Sequence, residues 1–101
     1  MNKVITDKLN ELKSLCKKYD VKTMHVFGSA CSAHFNDQSD IDFLISFKNI
    51  PFDQYTDNYF ELHYKLQDLF GRNIDLLTDK SLSNPYFIQS VNNTKKLIYA
   101  N

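Results

Sequence analysis

A chain of 101 residues with 43% hydrophobic content can fill one core without disulfides or structural zinc. Twelve Lys and Arg balance twelve Asp and Glu, so the formal net charge is zero, which argues against bulk electrostatic binding to a nucleic acid backbone. Met1 to Asp7 hold no apolar leader core, no run approaches the roughly 20 apolar residues of a membrane helix, and Cys16 and Cys31 have no ligand spacing. The expectation is a cytoplasmic chain with free thiols, folded as a single domain over residues 1–101.

Ile5, Leu9, Leu12, Cys16 and Tyr19 recur by four, three, four and three, the stripe of an amphipathic helix that Asp20 ends. Val21 to Phe27 predicts a strand, stopped by Gly28-Ser29. Ala30 to Ser39 is small and polar, with Asn36-Asp37-Gln38-Ser39 reading as a loop. Ile41 to Phe47 is the strongest strand, and Pro51 closes the connection after it. A second helix is expected from about Asp53 to Phe70, on the stripe Tyr55, Tyr59, Leu62, Leu66 and Leu69, with Gly71 as its cap. Phe52, Phe60 and Tyr64 fall off that stripe, so the helix either buries or presents a second apolar surface. Asn73 to Leu77 is a short third strand, and Asn84-Pro85 starts a last helix over Tyr86 to Asn92. Lys96 to Tyr99 is extended or irregular. This order implies an α/β (α+β) fold, one mixed β-sheet with flanking helices.

Three features can carry chemistry. Gly28-Ser29 ends a strand, where a glycine admits close approach and successive amides can cradle an anion. Asp40-Ile41-Asp42 opens the central strand, and period-two geometry sends both carboxylates to one side. Like charges so placed call for a counter-cation, and magnesium, a hard ion with oxygen ligands, suits them. Asp75 lies inside the apolar run Asn73 to Leu77, where burial is costly without a cation or hydrogen bonds. If the third strand lies beside the second, three carboxylates can surround one or two metals, as nucleotidyl transfer requires. Singly, each feature has an ordinary reading: a turn, a solvated strand start, a turn cap.

Together, Gly28-Ser29, ten intervening residues, Asp40-x-Asp42 and a later Asp75 resemble the signature of the DNA polymerase beta-like nucleotidyltransferase superfamily. The runs His25 to Ser29 and Ser39 to Ile45 are especially similar to the minimal nucleotidyltransferases of prokaryotes. That resemblance implies the nucleotidyltransferase fold, with Asp40 and Asp42 binding Mg²⁺, and Asp75 completing the metal site and acting as base toward an acceptor hydroxyl. It implies that Gly28 and Ser29 hold the nucleoside triphosphate, ATP foremost. It also implies a partner, a HEPN-domain toxin for which the minimal nucleotidyltransferase is the antitoxin, some members adenylylating a tyrosine of the toxin. Such a short chain otherwise lacks a surface for its acceptor, so a partner or a homo-oligomer is expected.

One departure stands out. The family usually carries an arginine where this chain has Ser32, within Ala30-Cys31-Ser32-Ala33. Serine cannot supply a charged planar fork, so affinity or turnover is expected to fall unless another cation serves, with His34 and Lys48 as candidates. Two other readings therefore stay open: a catalytically weak or inactive nucleotide-binding module that inhibits a partner by contact, and an enzyme acting on a small hydroxylated molecule. The three histidines, His25, His34 and His63, are too scattered for zinc.

Overall fold

Ile41, Phe43 and Ile45 are buried on one side of the central strand, while Asp42, Leu44 and Ser46 alternate on the other, so the sheet has two chemically different faces. The computed structural model describes residues 2–101; Met1, the first of the residues read for a leader, lies outside them. In chain order the elements are α1 (Lys3–Thr6), α2 (Leu9–Lys18), β1 (Val21–Phe27), β2 (Ile41–Phe47), α3 (Phe52–Phe70), β3 (Ile74–Thr78), α4 (Pro85–Thr94) and β4 (Lys96–Ala100). The strands form one mixed sheet in the order β3-β2-β1-β4, with β1 antiparallel to β2 and β4, and β2 parallel to β3. Among the described residues, no helix is long and apolar enough to cross a membrane.

The larger core lies on the face of Phe43, where Ile5, Leu12 and Cys16 from the N-terminal helices meet Leu62 and Leu66 of α3. On the opposite face a smaller cluster, Phe27, Leu44 and Val91, seats α4, with Leu77 and Leu82 packed beside it. Both helical stripes thus do what their spacing predicts, and helices flank the sheet on two sides.

The first and last elements differ from the sequence expectation, and the turn after α2 has an unusual backbone. The first helix is broken at Asp7-Lys8, where Lys8 leaves helical geometry (φ −111°, ψ 13°), yet Ile5 and Leu12 still enter one core. Asp20 takes a left-handed conformation (φ 60°), unusual for a residue with a Cβ. Its carboxylate accepts from Gln54 and Asn58 of α3, at 2.8 and 3.1 Å, which helps to hold that turn. The last segment, Lys96–Ala100, is a true strand on the outer side of β1. Phe52, Phe60 and Tyr64 are 84%, 64% and 66% exposed, so α3 presents its second apolar surface to solvent.

The sheet's other edge is covered. The Tyr59 hydroxyl donates to the Leu76 carbonyl at 2.6 Å, and His63 Nε2 lies 2.7 Å from the Ile74 carbonyl. Two side chains one turn apart on α3 thereby occupy the free side of β3, the strand that carries Asp75.

Candidate active site

Parallel pairing sets Ile41 opposite Ile74, and so Asp42 opposite Asp75. Paired residues on neighbouring strands project to one face, so the two acids stand side by side on the face that α4 shares. Asp42 is half-buried and Asp75 exposed, so the desolvation expected for Asp75 falls on Asp42 instead. Burial, a side-chain hydrogen bond with Asp75 and the charges of Asp75 and Asp40 push the Asp42 carboxyl up to about 7. A backbone hydrogen bond from Ser29 opposes them.

Asp40 lies just before β2 and is exposed. It acts on Asp42 through its charge. Among the described residues, no three Asp, Glu, His or Cys side chains form a ready-made metal cage; the close pair is Asp42 and Asp75. A half-buried carboxyl that retains a proton near neutrality, beside an exposed acid, is a place where a hard cation can take the proton's role. The donor set, oxygens only, fits Mg²⁺.

The Gly28-Ser29 turn serves these acids directly. Gly28 has φ +71°, and a Cβ there would collide with Asp42 Oδ2. Its amide donates to Thr94 Oγ1 at 3.3 Å, while Ser29 Oγ donates to the Asp40 carbonyl at 3.1 Å. The donors expected to cradle phosphate are thus engaged with the acid-bearing segments and with the last turn of α4.

Of the two candidate substitutes for the missing arginine, Lys48 stands away from the acids. It follows the far end of β2, about 20 Å along the strand from Asp42. His34 is exposed in the loop and donates its amide to Ser32 Oγ. Lys96, which the sequence did not single out, shares a cleft with Ala30, Cys31 and Ser32. Arg72 and Thr94 were missed as well. Arg72 is the sole arginine of the chain, and Thr94 gives no sequence signal beyond lying near a helix end.

Comparison with known proteins identifies the family and the fold. Residues 10–101 match the family described as Polymerase beta, Nucleotidyltransferase. A candidate protein adenylyltransferase of Methanocaldococcus jannaschii is 38% identical over 96 residues, 94% of this chain and 93% of the relative. Among solved structures, a candidate minimal nucleotidyltransferase superposes with a TM-score of 0.76 at 22% identity, covering 95% of both chains. A chain in the complex of a tri-AMPylated Shewanella oneidensis HEPN toxin with its MNT antitoxin superposes with a TM-score of 0.67 at 19% identity, covering 95% of this chain and 72% of that one.

Proposed function

The chain belongs to the polymerase beta nucleotidyltransferase family, and from that footing we propose that it transfers AMP from ATP to a tyrosine hydroxyl of a HEPN-domain toxin, acting as the antitoxin. The observation that carries the reading is the Asp42–Asp75 pair, set in register and backed by Gly28. The protein-adenylyltransferase relatives and the likeness to the antitoxin complex support the choice of donor and acceptor.

Asp40, Asp42 and Asp75 would hold Mg²⁺, which when bound neutralises charge on the triphosphate and the leaving pyrophosphate. Asp75 is exposed, so an incoming hydroxyl can reach it. It accepts the acceptor's proton as that oxygen bonds to the α-phosphorus and the bond from the α-phosphorus to the bridging oxygen breaks, releasing pyrophosphate. Ser29 holds the Asp40 backbone and, by turning its hydroxyl, can donate to a phosphate oxygen; Gly28 keeps the floor low enough for triphosphate and Asp42 together. Lys96 is the cation in the Ser32 cleft, and we assign it part of the task of the missing arginine. The exposed Phe52, Phe60 and Tyr64 form a surface for the partner.

The test is co-expression with a HEPN-domain gene product encoded beside this chain, followed by incubation with Mg²⁺ and ATP labelled at the α-phosphate. Label on a partner tyrosine, lost in Asp42→Asn, is the expected outcome. A wild-type chain that binds the partner but transfers nothing favours the second reading, inhibition by contact, for which Ser32 in the arginine's place is the specific motive. A chain that neither binds nor labels the partner refutes both.

A further inference from the structure

We propose that Arg72 is a positioning residue that sets where Asp40 stands, by pinning the loop that delivers it. This rests on the reading above that Asp40 helps to hold the metal.

Asp40 lies outside the strand ladder, so its place depends on the Ser29 hydroxyl that donates to its carbonyl and on the backbone before it. That loop is closed on itself by the Ser39 amide donating to the Asn36 carbonyl at 3.0 Å, the Asn36 amide donating to Ser39 Oγ at 3.1 Å, and the Gln38 amide donating to Asn36 Oδ1 at 2.8 Å. Such contacts fix the loop's shape but not its place against the sheet. Arg72 supplies the place. Its Nη1 donates to the carbonyls of both Asn36 and Ser39, at 3.1 and 3.0 Å, and its guanidinium carbon lies 4.9 Å from the centre of the Phe35 ring. One side chain therefore grips the loop at two carbonyls and one aromatic face.

The origin of that grip matters. Arg72 precedes β3 by two residues and Asp75 by three. Next to it, the Asn73 carbonyl accepts the Ile41 amide at 3.3 Å. The segment that presents Asp75 thus also anchors the segment that presents Asp40, and the acids on two strands are positioned as a unit. A phosphate-binding role in place of the absent motif arginine fits less well, because the guanidinium is already committed to two carbonyls and the ring.

The test measures Mn²⁺ binding by electron paramagnetic resonance for wild type, Arg72→Ala and Arg72→Lys, together with hydrogen exchange of the Ser39 amide in metal-free protein. Both variants are expected to weaken Mn²⁺ binding about tenfold, the usual scale for losing a group that orients a ligand, and to speed exchange at Ser39. Should Arg72→Ala fail to fold, Arg72→Lys carries the comparison, since it keeps the charge and loses the planar guanidinium that lies over Phe35. Wild-type binding and exchange in Arg72→Lys would show that charge alone suffices and overturn the inference. So would unchanged Mn²⁺ binding in Arg72→Ala. A wild-type chain that takes up no Mn²⁺ overturns the metal site itself, and this inference with it.

Discussion

The carboxylate of Asp42 occupies the space that a side chain on Gly28 would need, and Gly28 also holds a left-handed φ of +71°. Substitution there is resisted twice, by backbone strain and by collision with a group of the site. Gly28→Ala is expected to lose at least about 1 kcal/mol of stability from the backbone alone. It should lose AMP transfer more steeply, because the new methyl displaces the carboxylate it meets. Urea unfolding read beside label transfer from ATP separates the two. Full transfer in a folded Gly28→Ala protein would mean that the contact with Asp42 is only packing.

Asp42 makes a pH prediction whose sign is opposite to that of an ordinary salt-bridged acid. Burial and Asp75 raise its carboxyl from 3.8 to about 7 in the metal-free folded chain. Between those values the folded state binds more protons than the unfolded state, so stability from this group falls as pH rises. The contribution is fully present below about pH 4 and is lost through pH 7. Asp42→Asn keeps the shape without the charge and should remove that slope, so its urea midpoint in chelator gains on wild type from pH 4 to 7.5. The gain is small, because a half-exposed group is screened by solvent. Parallel pH profiles for the two proteins would contradict the crowding of acids, and undiminished transfer by Asp42→Asn would contradict the assignment of the site.

Much of this arrangement is legible in the sequence, and the rest is hidden for physical reasons. Period-two alternation from Ile41 to Phe47 fixes which side chains share a face, and the three-four spacing of α2 and α3 fixes which stripes are buried. That Asp42 stands beside Asp75 follows from parallel pairing in one register, which no local pattern encodes. Arg72 and Thr94 act through backbone groups far along the chain, at Asn36, Ser39 and Gly28, and a bond to a backbone carbonyl or amide leaves no mark on the partner's residue type. The strand Lys96–Ala100 escapes definition because a short, lysine-bearing edge looks like an irregular end.

The two thiols should differ little in chemistry and much in access. Burial pushes Cys16 up to about 12 and also raises Cys31, where the Lys96 charge works in the other direction. Neither is a thiolate at neutral pH, which fits a structural role for both. Iodoacetamide at pH 8 should label Cys31 slowly and Cys16 only on unfolding, as mass spectrometry of the peptides would report. Rapid native labelling of Cys16 would show that α2 opens from the core.

Tyr59 tests whether the covered edge of β3 matters to the site. Its hydroxyl is the donor for the Leu76 carbonyl, and Leu76 follows Asp75 directly. Tyr59→Phe keeps the ring that packs on the core and deletes only that donor, leaving a carbonyl at the sheet edge to find water or go unpaired. The cost should be about 1 kcal/mol, the net worth of one such bond. If the edge bond also steadies Asp75, the apparent KM for the acceptor should rise more than ATP affinity falls, because in the proposed reaction Asp75 takes the hydroxyl's proton while Asp40 and Asp42 still hold the metal. A stability loss with identical kinetics would confine Tyr59 to the fold. A change in ATP affinity with the acceptor KM unmoved would mean that Asp75 serves the metal and not the acceptor hydroxyl.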